Sequence, residues 1–436
     1  MQQGLSFDQA PPLHVPLRFL LTAPLFGIAA GLLLAWQGPD ALASRWTPST
    51  LALTHLLTVG FATMVMAGAL TQVLAVVAGS RIPGLVPVAT LAHAGLAAGA
   101  AALPMAFLLA DSRQFIVSAA LLVPAILLFA AAAGRATLGP HGRTPTSRGI
   151  RLALLALTLT AVLGGAMAFQ RGGWPAPSGS LISYHITWGL AGWIGLLLVA
   201  VAYQVVPMFQ LTRPYPDWMT RHLAPALAGM LAAWTVAMLV DGSAMARILG
   251  ASAALGLALF AAQTILLQAR RRRRIRDPVV LFWRIGLGSA LGATALWAWL
   301  VAAPAYAHGP ELPLLLGIFA LAGAAISLIC GMLYKIVPFL MWLHLQPLAG
   351  RRWRIPSLRE MVPERAVMLH FWIHCGALAL LVAAVPIPAM ARAAGAAFAI
   401  ACAVLAWNLG RAALRYRALR VKLETLARLA DRALPP

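Results

Sequence analysis

The 436 residues are 61% hydrophobic and only 10% charged, with a mean hydropathy of +0.84, which excludes a soluble globular domain and predicts an integral membrane protein. The formal net charge of +22 does not point to nucleic acid, because the basic residues fall in short loops between apolar stretches, where topology bias accounts for them. Three cysteines, Cys330, Cys375 and Cys402, lie in or beside apolar stretches without paired spacing, so neither a disulfide framework nor a thiolate metal site is expected.

The first residues, MQQGLSFDQAPPLHVPLR, lack a basic leader and a small-residue cleavage site, so residues 1–16 are expected to precede a retained first span. Taking roughly 20 apolar residues per crossing, twelve spans are predicted near 17–36, 51–78, 84–110, 115–134, 151–169, 182–209, 223–240, 246–267, 281–306, 313–341, 366–386 and 389–409. With the N-terminus inside, nineteen basic residues fall in inner loops and seven more in the C-terminal tail, against five in outer loops: Arg45, Arg113, Arg171, Arg247 and Arg392. Such asymmetry predicts a bacterial cytoplasmic-membrane protein with both termini in the cytoplasm.

Nearly the same octet ends three of these spans: LTQVLAVV at 70–77, AYQVVPMF at 202–209 and LYKIVPFL at 333–340. Gln72, Gln204 and Lys335 hold matching places, 132 and 131 residues apart. This predicts an all-α polytopic protein of three pseudo-repeated four-helix units, about 17–134, 151–267 and 281–409. Lys335 is read either as snorkelling to the interface or as joining Gln72 and Gln204 on a polar path. No Asp or Glu falls inside a predicted span, which disfavours carboxylate-coupled transport.

Five histidines fall within spans. His55 in span two and His185 in span six lie near the outer ends, and small residues such as Gly60, Gly68, Gly189 and Gly192 follow them. An ideal helix places the two at one depth but not strictly on one face. They are read as ligands of haem or a metal, or as interhelical hydrogen-bonding groups. His93, in TLAHAGLAAGA, is open to a structural or a cofactor role. His370 and His374, in LHFWIHC, have the i, i+4 spacing that can chelate a metal, although that end of span eleven could simply meet headgroups. His14, His141, His222, His308 and His344 fall in loops or at interfaces and carry little signal.

Twelve spans, both termini inside, three four-helix units and a histidine in the outer part of span two together resemble subunit I of the haem-copper oxidases. The resemblance covers about residues 17–410 and is architectural. It implies that His55 ligates a low-spin haem and that His185 stands nearest to that family's span-six copper ligand. The family's paired histidines of span seven have no counterpart in RHLAPALAGMLAAWTVAMLV, and those of span ten are missing from LPLLLGIFALAGAAISLICGMLYKIVPFLMWL. A complete oxygen-reducing centre is therefore not expected. His55, Gly60 and Phe61 also look like the opening of span two in twelve-span haem- and copper-containing proteins linked to nitric-oxide stress.

The tail at 410–434 is basic, with Leu414, Leu419, Leu423, Leu426 and Leu429 on a broad apolar side; it is read as lying on the membrane, meeting a partner or extending span twelve. The run ARRRRRIR at 269–276 is read as a topology determinant. The expectation from sequence is a haem protein, with copper as an option. It would serve electron transfer, gas-ligand sensing or cofactor handling, with a redox partner or small membrane subunit. The alternative is a cofactor-free permease whose path runs past Gln72, Gln204 and Lys335.

Overall fold

A computed structural model describes residues 10–432 apart from 77, 78, 80, 175–180, 241, 272–276, 308 and 351. His308, most of the arginine run and the last residue of the first octet thus lie outside the described residues.

Among the described residues twelve helices are long and apolar enough to cross a membrane, and the chain is a multi-pass membrane protein. Spans one to six are His14–Leu42, Pro48–Ala75, Leu85–Leu109, Ser112–Ala136, Pro145–Arg171 and Ile182–Gln210. Spans seven to twelve are Asp217–Leu239, Ser243–Ala269, Pro278–Ala302, Glu311–Ala349, Glu364–Ala383 and Pro388–Leu429. Among the described residues there is no strand.

Several helices begin earlier than the apolar runs suggest, because polar caps start them. Thr47 accepts a hydrogen bond from the Thr50 amide at 3.1 Å and is followed by Pro48. Asp277 accepts one from the Val279 amide at 3.1 Å and is followed by Pro278. Both pairs place an N-cap acceptor before a proline whose missing N–H costs nothing in the first turn. The octets do not all end their helices as expected. Span six stops one residue after its octet, at Gln210, but span ten carries Pro338 and Pro347 within the helix and runs on to Ala349. Likewise no break separates a tail from span twelve, whose helix is continuous over Ala391–Arg432.

Spans two, six and ten are the most buried of the twelve. Each contains one π-helical segment, at Leu56–Thr63, Trp188–Gly195 and Phe319–Ile326. These begin at 56, 188 and 319, so they are spaced by the same 132 and 131 residues as Gln72, Gln204 and Lys335. The π segments of spans two and ten touch. Trp193 in that of span six donates its indole N–H to Thr63 Oγ1 of span two at 2.9 Å. The chain ends close around this core: span one packs along span twelve. A Cβ on Gly31 or Gly395 would strike the backbone of the facing helix, so glycine sets that close approach.

Lys335 is ion-paired at the end of the bundle. Its Nζ donates to Asp277 Oδ2 at 2.8 Å, and the two side chains are only 19% and 14% exposed. The sequence reading left Asp277 in a loop; as the cap of span nine it is carried to the end of the bundle where the lysine emerges. Removing one member of such a pair leaves the other charge unmatched in a poorly hydrated place. Lys335→Met is expected to lower stability by about 3 kcal/mol. Adding Asp277→Asn, which keeps the capping oxygen and removes the charge, should recover most of that loss in thermal unfolding in detergent.

Candidate functional site: two imidazoles facing one cavity

His55 is the last residue before the π segment of span two, and its Nδ1 lies 2.8 Å from the Leu51 carbonyl one turn back. His185, three residues before the π segment of span six, has Nδ1 3.1 Å from the Thr160 carbonyl of span five. A carbonyl only accepts, so in both rings Nδ1 carries the proton and Nε2 keeps its lone pair. The Thr160 hydroxyl bonds back to Ala156 O at 2.7 Å. Gly164 makes room for the second ring, since a Cβ there would come within 2.9 Å of His185 Cε1.

The two rings converge, with centres 6.2 Å apart and planes 25° from parallel. Residue counting across the spans put them on different faces. The π segments do not account for this, because each has the same length and the same distance to its glutamine; the rings meet because spans two and six turn those two faces towards one cavity. Phe107 of span three backs the other side of His55, 5.2 Å away.

Both histidines line a cavity of about 890 Å³. Its walls are mainly apolar, with Leu57, Trp193, Ile318 and Phe398 among them, and a polar stripe of Thr50, Thr54 and Thr58 runs down one side. Thr54 and Thr58 satisfy their hydroxyls on the carbonyls four residues back, at 2.8 Å each. Arg45 and Arg171 are also on the wall, and no Asp or Glu is among the lining residues. Arg45 lies 4.6 Å from the Trp46 ring, and Arg171 lies 5.5 Å from Phe115 and 5.9 Å from Phe107. Burial lowers the Arg45 pKa from its ordinary value, but a guanidinium keeps its charge at neutral pH. These arginines were visible in the sequence only as two of five basic residues on the sparse side. Cations that oppose the topology bias were the available signal.

The other candidates lie elsewhere. His93 is not on the cavity wall; it bonds Thr22 Oγ1 of span one at 3.0 Å and meets the Phe19 edge at 5.0 Å. Gln72 is buried and Gln204 half-buried, and neither lines the cavity, so no path joins them to Lys335 through it. His370 and His374 do not meet headgroups. They are 1% and 2% exposed and are held by Tyr334 and Ser327 of span ten. Among the described residues no group of three or more His, Cys, Asp or Glu is placed to hold a metal ion. His344, which seemed to carry little signal, anchors the start of the chain through Nε2 and the Pro11 carbonyl at 2.9 Å.

No family model matches this chain, and a search of curated proteins finds no matching relative.

Proposed function

We propose that the protein is a membrane haem protein in which His55 and His185 supply both axial ligands. The facing imidazoles carry this reading, each with Nδ1 held by a carbonyl and Nε2 free. Carbonyl contacts of this kind orient metal-binding histidines and raise their basicity. Two imidazoles reaching one metal through nitrogens about 2 Å away put their ring centres about 6 Å apart, and the observed spacing is 6.2 Å.

The donor count favours haem over a bare ion. Haem brings four equatorial nitrogens and asks the protein for two ligands. Copper alone would need further donors, and among the described residues no third His, Cys, Asp or Glu joins these histidines. A cavity of about 890 Å³ with apolar walls suits a large flat group. Arg45 and Arg171, with no acid beside them on the wall, suit its carboxylates. Haem supplies one-electron chemistry when bound. With both histidines holding it, the group would serve electron transfer rather than gas binding.

The equal spacing of the π segments in spans two, six and ten supports the three-unit repeat, and with it the oxidase-like architecture. In that comparison His55 keeps the role of the span-two haem ligand. His185 becomes the partner on the same iron rather than a copper ligand. The permease reading has lost its path, because Lys335 is paired and the two glutamines lie off the cavity.

The test is the absorption spectrum and iron content of protein purified in detergent from cells supplied with haem. A low-spin spectrum with one iron per chain is expected, absent in His55→Ala and His185→Ala. A folded, colourless, iron-free preparation overturns the reading. Gly164→Val, which crowds the His185 ring without touching a ligand, is expected to weaken haem retention by about tenfold or more, as measured by haem transfer to an apoprotein acceptor.

A further inference from the structure

Two side-chain rungs join span one to span three. The deeper one pairs Thr22 Oγ1 with His93 Nε2 at 3.0 Å. One turn nearer the start of both helices, Arg18 Nη1 donates to Thr90 Oγ1 at 2.9 Å. The Thr90 hydroxyl gives its own proton to the Val86 carbonyl at 2.7 Å, which leaves its oxygen to accept. This second rung lies on the outer surface of the bundle, with Thr90 exposed and Arg18 half-buried.

The other donors of Arg18 have no acceptor. Nε and Nη2 make no hydrogen bond, and neither is open to solvent. Together they form one edge of the guanidinium, which presents two parallel N–H groups of the kind that grip a carboxylate or phosphate. Among the described residues no carboxylate pairs with Arg18. A charged donor left unpaired and away from water is costly. The edge therefore suits an anion from outside the chain, and its shelter keeps water from competing for that anion.

The surroundings point to the source of the anion. Span one has 29 residues, about 43 Å of helix against about 30 Å of hydrocarbon. Its first four or so residues from His14 thus stand in the headgroup layer, and Arg18 lies at the boundary. Towards the membrane middle the same surface is apolar. Leu25, two turns beyond Arg18 on the same face of span one, is 56% exposed, and Leu91, next to Thr90, is 61% exposed. A soluble anion makes no use of that surface, whereas the chains of a phospholipid cover it.

We propose that Arg18, held by Thr90, is a binding site for the phosphodiester of a phospholipid. The Nε–Nη2 edge grips the oxyanion, and the acyl chains run along Leu25 and Leu91. Thr90 ties down Nη1 and so fixes the direction in which the free edge faces. The site is independent of haem.

The test is a titration of the protein, purified in dodecyl maltoside, with dioleoylphosphatidylglycerol, counting bound lipid per chain by native mass spectrometry. One tightly held phosphatidylglycerol is expected, and no tightly held dioleoylglycerol, which has the same chains without the phosphate. Arg18→Gln should weaken the tight site by about tenfold, and Arg18→Lys, which keeps the charge but loses the fork, should recover only part of that. Arg113→Gln, beyond the far end of span three, is the control and should leave the tight lipid in place. Equal retention by Arg18→Gln, full recovery by Arg18→Lys or an equal loss in Arg113→Gln overturns the proposal. Displacement of the lipid by millimolar inorganic phosphate also overturns it, because the occupant is then a soluble anion. Should Arg18→Gln not fold, Thr90→Val, which releases the guanidinium, decides: weaker retention supports the site and retention equal to the parent overturns it.

Discussion

Inside a bilayer a polar side chain has no water to turn to, so each must find a partner in the bundle or face a cavity. This one constraint orders most of the interior. Thr54, Thr58, Thr160 and Thr294 bond back to their own helices. Trp193 reaches Thr63, Tyr215 reaches Thr264, and Gln268 reaches Gln210 across neighbouring spans. Lys335 keeps its charge next to Asp277. Where the bundle leaves a gap, at the cavity of spans two and six, His55, His185, Arg45 and Arg171 stand on its wall beside the threonines.

The architecture was legible because it depends on apolar length and turn chemistry, both written locally. Twelve apolar runs gave twelve spanning helices, and the long-range spacing of Gln72, Gln204 and Lys335 matched that of three π segments that no residue pattern announces. Helix starts were misplaced where a cap lies outside the apolar run, as at Thr47 and Asp277. The site was legible only by residue type. That His55 and His185 are worth attention follows from imidazole chemistry in hydrocarbon. That they face each other depends on how spans two and six are rotated against one another in the bundle, which a count along each helix does not contain. The partner of Lys335 was not legible either, since it comes from a different helix 58 residues earlier.

The π segments link fold and site. A π turn adds a residue without lengthening the helix in proportion, so it rotates everything beyond it and loosens the local backbone pairing. In spans two and six it lies directly below the histidines, so the half nearest the cavity can be phased independently of the half carrying the glutamines. Small residues accompany each one: Gly60 in the first, Gly189, Gly192 and Gly195 in the second, and Ala320, Gly323, Ala324 and Ala325 in the third. The third segment has no histidine above it, and there the cavity wall is Leu316, Gly317 and Ile318. The same π segment thus recurs in three helices, and in two of them a histidine stands on the cavity wall just before it.

Two histidine pairs in one chain show what separates a ligand from a linking group. His370 and His374 belong to one helix, and each gives a ring nitrogen to a side chain that both donates and accepts. A hydroxyl can donate or accept, so either tautomer of those rings finds a partner there. His55 and His185 come from two helices, and each gives Nδ1 to a backbone carbonyl. A carbonyl has no proton to exchange and holds the tautomer fixed, with Nε2 turned to open space. The difference lies in the partner of one nitrogen, a carbonyl that can only accept for the cavity pair and a hydroxyl that can do either for the buried one.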